Sequence, residues 1–437
     1  MENSNDNRYQ SALDFLYAQL PMFSRVGAAA YKPGLERVLQ LSDFFGNPER
    51  RLKAIHIAGT NGKGSTSHLI AAALQAAGYK TALYTSPHLV DFRERIRING
   101  EMIPKEKVVN FVERWKACGY SGEKPSFFEL TMMMAFEWFA NENVDYAVIE
   151  TGMGGRLDST NILSPLLCVI TNISPDHTQF LGHTLPEIAA EKAGIIKEGV
   201  PVVIGEADQE VEGVFRAKAT EMGAPITEVY RNPGIKDFTL KEDYSGWRAV
   251  SDIFGEIETD LAGDYQKKNI PTALAALAAL RTQGVELTDE AVKEGFCHAA
   301  ERTGLAGRWT VLAHKPLTIC DTGHNIAGLS VNIERLKKLR QENGGELRML
   351  VGFVADKAID DILELFPKDA VYYVTNAAIP RALPAAELLK KFQEHGLEAR
   401  AFDDVAAAWM KLKDESSEKD TVYIGGSTFI VADFMKL

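Results

Sequence analysis

Hydrophobic and polar positions fall into two successive series along this chain. In the first, short apolar runs at residues 54–57, 80–84, 146–150, 167–172 and 201–204 read as strands, and stretches with helical spacing lie between them, among them 66–77, 129–140 and 184–196. Apolar runs without polar alternation belong to strands buried on both faces, and their alternation with helices predicts a parallel sheet covered on each side. Over 238–261 the pattern changes: Thr, Tyr, Trp and charged residues alternate, as in antiparallel strands, and an alanine-rich helix follows over 269–281. A second α/β series begins near Arg308, with strands expected at 309–312, 318–321, 348–352, 370–375, 398–402 and 421–425 and helices at 328–343 and 385–395. The break falls between Glu301 and Gly307, which divides the chain into residues 1–301 and 302–437.

Composition narrows the function classes. The chain has 437 residues, 46% hydrophobic and 25% charged, as expected of a water-soluble protein of two or three domains. A net charge of −12 argues against a nucleic-acid surface, while leaving room for a local basic pocket. Cys118, Cys168, Cys297 and Cys320 form no C-x-x-C pair, so zinc and thioredoxin-like chemistry have no support. Cys168 and Cys320 sit in apolar runs and read as reduced, buried thiols, which suits a cytoplasmic protein. The polar, acidic start is no signal peptide, and no run of about 18 apolar residues suggests a membrane span. A monomer is the default expectation, with small molecules as partners and neither nucleic acid nor membrane.

The apolar run Ile55-His56-Ile57-Ala58 leads into Gly59-Thr60-Asn61-Gly62-Lys63-Gly64-Ser65, and a helix follows. Such a turn can aim successive backbone N–H groups at a phosphate, with Lys63 adding a full charge. It departs from G-x-x-x-x-G-K-[ST], because Ile57 stands where the first glycine would and Gly64 separates Lys63 from Ser65. A plain glycine turn joining strand to helix is the alternative. Three glycines around one lysine exceed what a turn needs, and a lysine at a helix N-terminus is unfavourable with the dipole unless an anion is present. The loop therefore points to a nucleoside triphosphate.

Open parallel sheets bind ligands at the carboxyl ends of their strands, and several polar clusters fall there. Glu150 ends a strand and precedes Thr151-Gly152-Met153-Gly154-Gly155-Arg156-Leu157-Asp158; it is placed to hold Mg²⁺, directly or through water, or else faces solvent. His177 closes Thr171-Asn172-Ile173-Ser174-Pro175-Asp176-His177 and could be a metal ligand, a base or a loop cap. Lys192, in Glu191-Lys192-Ala193-Gly194-Ile195, is a surface lysine or, held near a metal, a site of modification by CO₂ to a carbamate. In the second series, Arg308 could grip phosphates bidentately, and Asp321-Thr322-Gly323-His324-Asn325 ends a strand. A nucleotide held from both domains would couple binding to closure.

Taken in order, these clusters resemble the folylpolyglutamate synthase/dihydrofolate synthase family, related to the Mur ligases. The resemblance spans nearly the whole chain. It rests on Gly59 to Ser65; on Ser86-Pro87-His88-Leu89 with Phe92-Arg93-Glu94-Arg95-Ile96; on Glu150-Thr151-Gly152 with Gly154-Gly155-Arg156-Leu157-Asp158; on Ser174-Pro175-Asp176-His177; and on Glu191-Lys192-Ala193-Gly194-Ile195. It implies an α/β fold: a P-loop parallel-sheet ATPase domain over 1–301 and a smaller Rossmann-like glutamate-ligase domain over 302–437. It also implies ATP on residues 59–65 with Asn269, Arg308 and Asp321, and two Mg²⁺ sites drawn from Ser86, Glu150, His177 and a carbamylated Lys192. The pterin substrate would meet Ser126, Phe127, Phe128, Glu129, Leu157, Asp158 and Ser159, and the incoming glutamate His324 and Ser427. Lys63, Glu150, His177, Lys192 and His324 are the implied catalytic set. This chain reads Gly263-Asp264-Tyr265-Gln266 where the family often has Gly-x-His-Gln, and Asp321-Thr322-Gly323-His324-Asn325-Ile326 where it often has Asp-Gly-Ala-His-Asn-Pro.

The implied reaction is ATP-dependent addition of L-glutamate to dihydropteroate, to reduced folates or to both, through an acyl phosphate. A bifunctional enzyme is the preferred expectation. A monofunctional folylpolyglutamate synthase, a Mur-type peptide ligase and a regulatory P-loop ATPase are the alternatives. The peptide ligase would need a separate precursor-binding domain ahead of the loop, and the loop arrives by residue 59.

Overall fold

The computed structural model describes residues 2–19, 34–355 and 359–437. Two compact units emerge. The first comprises Met1–Asp237, Ala249–Glu258 and Lys267–Gly304, and the second Phe238–Arg248, Thr259–Gln266 and Leu305–Leu437.

The first unit is built on eight strands: β1 (Ala54–Ala58), β2 (Thr81–Tyr84), β3 (Ile96–Ile98), β4 (Glu101–Met102), β5 (Tyr146–Glu150), β6 (Leu167–Ile170), β7 (Val202–Ile204) and β8 (Ile226–Glu228). Their order is β4-β3-β2-β5-β1-β6-β7-β8. The run from β2 to β8 is parallel, and β3 and β4 add an antiparallel edge. β1 and β5 are buried at every position, which is why they read as unbroken apolar runs. The helix Lys63–Ala76 packs on β1, β2 and β5 and is itself covered by the helix Asp289–Cys297. Residues 65–74 of that helix are all buried, so it shows no polar stripe. Met132, Met133, Phe136 and Phe139 of the helix Phe127–Asn141 join the same core as Ile149 of β5.

Pairing Ile57 with Glu150 and Ala58 with Ile170 brings the ends of β5, β1 and β6 side by side. The strand expected over 167–172 stops at Ile170, because Thr171 and Asn172 turn their hydrogen bonds towards the loop that follows β1. The helix expected from residue 66 begins at Lys63, so the lysine lies in its first turn. The helix expected over 184–196 spans Leu185–Ala193, opened by a Thr184–Glu187 capping box.

β9 (Ile235–Leu240), β10 (Trp247–Ser251) and β11 (Gly255–Thr259) form a small sheet in the order β11-β10-β9. Their connections, 241–246 and 252–254, are too short for a parallel crossover, so the strands run as hairpins. The second unit carries β12 (Thr310–His314), β13 (Leu317–Cys320), β14 (Leu347–Val351), β15 (Val371–Val374), β16 (Ala399–Ala401) and β17 (Thr421–Gly425), ordered β12-β13-β17-β14-β15-β16. β12 is antiparallel to β13 and the others are parallel. Segments 238–248 and 259–266, which the sequence pattern groups with the first series, count with this unit. Ala262 and Tyr244 pack with that unit's apolar core, and one buried cation adds to the join. Arg335 lies over the rings of Trp247 (5.4 Å) and Trp309 (4.7 Å) and donates to the Ala262 carbonyl.

His56 is a polar residue at the centre of the first sheet. Its Nε2 meets Thr160 Oγ1 at 2.8 Å, and burial, with a smaller push from Lys197, lowers its pKa to about 3. The unfolded imidazole takes up its proton near pH 6.5 and the folded one does not, so stability contributed by neutral His56 falls as pH drops from about 6.5 towards 3. A His56→Gln variant, which keeps the donor and cannot titrate, is expected to lose less stability than wild type between pH 7 and pH 5 in urea denaturation. Equal losses would show that His56 does not carry this dependence.

Candidate active site

The loop after β1 is held in place by the segment after β6. Thr60 N–H donates to the Asn172 carbonyl (3.0 Å), and Asn61 N–H to the Asn172 side-chain oxygen (2.8 Å). Thr171 Oγ1 donates to the Asn61 carbonyl (2.6 Å), and Thr60 and Ser174 exchange side-chain-to-backbone bonds at 3.1 Å in both directions. Gly62 caps the helix at a φ of 82° with no side chain of its own, and a Cβ there would collide with Asn269 Oδ1. Only glycine satisfies both the conformation and the space. Asn269, from the helix Gln266–Thr282, thus abuts the loop, and the first-turn N–H groups of the helix Lys63–Ala76 have no intrahelical acceptors.

Two lysines converge on this loop. Lys63 Nζ donates to the carbonyls of Gly59 (3.0 Å) and Thr60 (3.2 Å), and Lys192 Nζ donates to the same Gly59 carbonyl (3.0 Å). Lys192 is only 3% exposed. Burial, followed by the Lys63 charge, pushes its pKa down to about 7, against opposing pulls from Asp176 and Asp158. Its delivery depends on two glycine-bearing motifs meeting at backbone distance. Arg156 N–H donates to the Glu191 carbonyl (2.7 Å), and the Asn161 amide bridges the carbonyls of Arg156 and Gly194 at 3.0 Å each. A Cβ on Gly155 would meet the Glu191 carbonyl at 2.8 Å, and one on Gly194 would strike Arg156.

On the other side of β1, Glu150 is buried and its Oε2 accepts the Ser86 N–H at 3.2 Å, which places Ser86 beside it. His177 stands at the head of the helix Thr178–Leu181 with a left-handed φ of 51°, its Nε2 4.0 Å from Asp176. Among the described residues no three His, Cys, Asp or Glu side chains gather. A cation beside Ser86 and Glu150 would meet a serine hydroxyl and a carboxylate, hard oxygen donors that fit Mg²⁺. Both Asp158 oxygens are engaged, accepting N–H groups from Gly152 (2.9 Å) and Met153 (2.8 Å) and from Thr160 (3.0 Å), whose hydroxyl also donates (2.6 Å). Burial outweighs those bonds and raises its pKa. Asp158 therefore organises the loop that contains it, with Leu157 and Ser159 half-buried beside it.

The residues expected to face a pterin divide. Ser126 and Glu129 form a capping box, and Glu129 also pairs with buried Arg37 at 2.8 Å, so both side chains hold the helix start. Phe127 lies in the core, while Phe128 is half-buried against Gly152. Arg95, quoted only as part of a motif, is also buried here. It lies over the Phe127 ring (5.4 Å) and donates to His88 Nδ1 (2.7 Å), and burial lowers its pKa.

In the second unit Asp321 follows β13, beside the end of β17. Its Oδ2 accepts Tyr265 OH (2.6 Å) and Trp309 N–H (2.8 Å), and its Oδ1 accepts Gly323 N–H (2.7 Å) and the Asn332 amide (2.7 Å). Arg308 donates to Thr322 Oγ1, and His324 Nδ1 lies 3.0 Å from the Thr322 carbonyl. Ser427 caps the helix Thr428–Phe434 through the Ile430 N–H at 3.2 Å. Arg308, Asp321 and His324 thus share one strand-end cluster. The two departures from the family pattern, Tyr265 and Thr322, both fall in it.

A glycine-rich loop at a helix N-terminus, a buried lysine beside it and a second α/β unit point to a class, and two family models match. Mur ligase middle domain matches residues 57–280, and Mur ligase, glutamate ligase domain, matches residues 307–428, so the chain is an ATP-dependent ligase of this type. It belongs to the dihydrofolate synthase/folylpolyglutamate synthase family. It is 32% identical to the dihydrofolate synthase/folylpolyglutamate synthase of Bacillus subtilis over 98% of each chain. Among solved structures it is similar to Escherichia coli FolC in complex with DHPP and ADP, with a TM-score of 0.82, 30% identity and coverage of 98% of this chain and 97% of that one. The bifunctional enzyme from Yersinia pestis complexed with AMPPNP and Mn ion gives 0.80, 31%, 96% and 97%. No described helix is long and apolar enough to cross a membrane.

A Gly62→Ala substitution is expected to displace Asn269 and weaken AMP-PNP binding more than about tenfold, while leaving thermal stability within a few degrees. Calorimetric titration beside a thermal melt checks it; unchanged affinity would show that Asn269 and the loop are not coupled.

Proposed function

We propose that this protein is a bifunctional dihydrofolate synthase/folylpolyglutamate synthase that adds L-glutamate to dihydropteroate and to reduced folates at the expense of ATP. The observation that carries the reading is the convergence of Lys63 and Lys192 on one carbonyl of the loop at a helix N-terminus. Lys63 brings to that carbonyl a positive charge that an anion would balance, and the same charge, with burial, lowers the Lys192 pKa. The family relationship over nearly the whole of both chains supports polyphosphate as that anion.

In this reading residues 59–65 and Asn269 hold ATP, with Lys63 on the phosphates, and Arg308 and Asp321 are the second unit's nucleotide residues. The substrate carboxylate attacks the γ-phosphorus, ADP leaves, and the amine of glutamate attacks the resulting acyl carbon, releasing phosphate. Lys63 offsets the like charge that would keep carboxylate and phosphate apart. Ser86, Glu150 and His177 would hold Mg²⁺, and a carbamylated Lys192 would help to hold a second ion; divalent cations bound there supply charge neutralisation. Phe128, Asp158 and their neighbours Leu157 and Ser159 are the pterin-facing group, with Ser126, Phe127 and Glu129 fixing the helix start. His324 and Ser427 are assigned to the incoming glutamate. The first unit is assigned chiefly to ATP, and the second, residues 305–437 with 238–248 and 259–266, to glutamate ligation.

A lysine whose pKa is pulled to about 7 is about half free amine at neutrality and largely so above it, the form whose nitrogen attacks CO₂ and then sheds a proton. The bicarbonate-stimulated part of the activity is therefore expected to fall as pH drops below about 7, where the ammonium form dominates. Lys192→Ala should lack that stimulation. A bicarbonate response that survives the substitution would remove the assignment.

The deciding assay is glutamate- and ATP-dependent phosphate release, run in parallel with dihydropteroate and with tetrahydrofolate. Turnover with both is expected, and Lys63→Ala should abolish each while remaining folded. Turnover with one substrate alone would restrict the chain to that step, and normal turnover by folded Lys63→Ala would overturn the reading.

A further inference from the structure

Glu206 belongs to none of the groups discussed above, yet it touches both elements that flank the phosphate loop. It follows β7, and its N–H donates to the Thr171 carbonyl (2.9 Å). One carboxylate oxygen accepts the Asn172 side-chain N–H₂ at 3.3 Å, and the other pairs with Lys268 at 2.5 Å. Asn172 is the residue that takes up the N–H groups of Thr60 and Asn61, and Lys268 immediately precedes Asn269, which abuts Gly62.

The chemistry of the amide makes Glu206 more than a neighbour. An asparagine side chain offers an acceptor oxygen on one side and donor hydrogens on the other. Asn61 presents a donor, so Asn172 must turn its oxygen inward and its N–H₂ outward. An ionised carboxylate, which only accepts, selects that orientation; the reverse would set donor against donor at Asn61 and oxygen against oxygen at Glu206. The Glu206–Lys268 pair is partly exposed, with side-chain accessibilities of 33% and 60%, so it adds little to folding. Its effect is on geometry at the loop.

We infer that Glu206 is a positioning residue for the nucleotide: by fixing the Asn172 amide on one flank and Lys268 on the other, it sets the loop conformation that receives the phosphates. This rests on the reading of residues 59–65 as the ATP site.

The test uses the full-length protein, with magnesium and AMP-PNP in calorimetric titration and the Michaelis constants of ATP and glutamate in the ligase assay. Asn172→Asp sets a carboxylate against Glu206 and is expected to weaken AMP-PNP and raise the ATP constant about tenfold, leaving the glutamate constant unchanged. Adding Glu206→Gln supplies a donor to the new carboxylate and should restore both nucleotide values to within about threefold of wild type. Glu206→Gln alone gives up the Lys268 charge pair and no longer forces the Asn172 amide, so it is expected to raise the ATP constant about threefold with the glutamate constant unchanged. Unchanged nucleotide affinity in folded Asn172→Asp, a double variant no better than the single, or a parallel rise in the glutamate constant would each overturn the role of Glu206. Wild-type protein that fails to bind AMP-PNP would overturn the nucleotide reading itself, and this inference with it.

Discussion

Lys192 rests on the Gly59 carbonyl because residues 154–156 and 191–194 approach at backbone distance, with Arg156 N–H bonded to the Glu191 carbonyl at 2.7 Å. Gly155 faces the Glu191 carbonyl and Gly194 faces Arg156 at distances that exclude a side chain. The Asn161 amide then ties the two segments together through carbonyls on each. Lys192 sits between Glu191 and Gly194 at the close of its helix, and this contact aims it inward rather than at solvent. Much else follows from that aim: the depressed pKa, the shared carbonyl with Lys63, and the proximity of Asp158 and Asp176 that partly offsets the buried charge. Two motifs that look independent in the sequence are the two halves of one contact.

The second unit reaches a similar end by saturation. Asp321 accepts four hydrogen bonds from Tyr265, Trp309, Gly323 and Asn332, drawn from segments far apart in the chain. A buried carboxylate with both oxygens doubly engaged is fixed in orientation, and its neighbours Arg308 and Thr322 inherit that fixity. Arg335, enclosed by Trp247 and Trp309, draws the hairpin segment into the same assembly, and Asp264 meets its charge at 3.0 Å. Here polar contacts, together with the packing of Ala262 and Tyr244 on the second unit's core, join distant segments to that unit.

Legibility in the sequence tracked these physical differences. β1, β5 and β6 were readable because strands buried on both faces leave continuous apolar runs, and the loops that close them carry the chemistry. The β3–β4 hairpin was passed over although Asn99-Gly100, both at positive φ, is a two-residue turn signal. The strands it joins are too short to show alternation. Ser126 and Glu129 matched a substrate motif by position, and their spacing is equally that of a capping box, which is what their side chains form. Thr171 and Asn172 were visible as polar residues at a strand end, but that they clasp residues 60 and 61 depends on β6 lying next to β1, which no local pattern states. The membership of 238–248 and 259–266 in the second unit was hidden for the same reason, because Arg335 and Trp309 lie far along the chain.

An acidic protein with a polyanionic substrate is consistent once distance is considered. A net charge of −12 is spread over the surface, and at physiological salt its influence decays over about 8 Å. The phosphate loop is governed instead by what lies within hydrogen-bonding reach: two lysines, the first-turn N–H groups of a helix, and carbonyls that the lysines occupy. Each of those carbonyls is a weaker partner for an ammonium group than a phosphate oxygen would be, since charge-assisted bonds to an ionised acceptor are the stronger kind. In the proposed reading, an arriving phosphate would replace those contacts without rebuilding the backbone. That backbone is kept by Asn172 and Thr171, which touch the loop from the β6 side and use none of its first-turn N–H groups. If the loop receives phosphate as proposed, separating the groups that hold it from those that would meet the ligand lets the site exist before the ligand arrives, the condition for selective stabilisation of charge in the reaction.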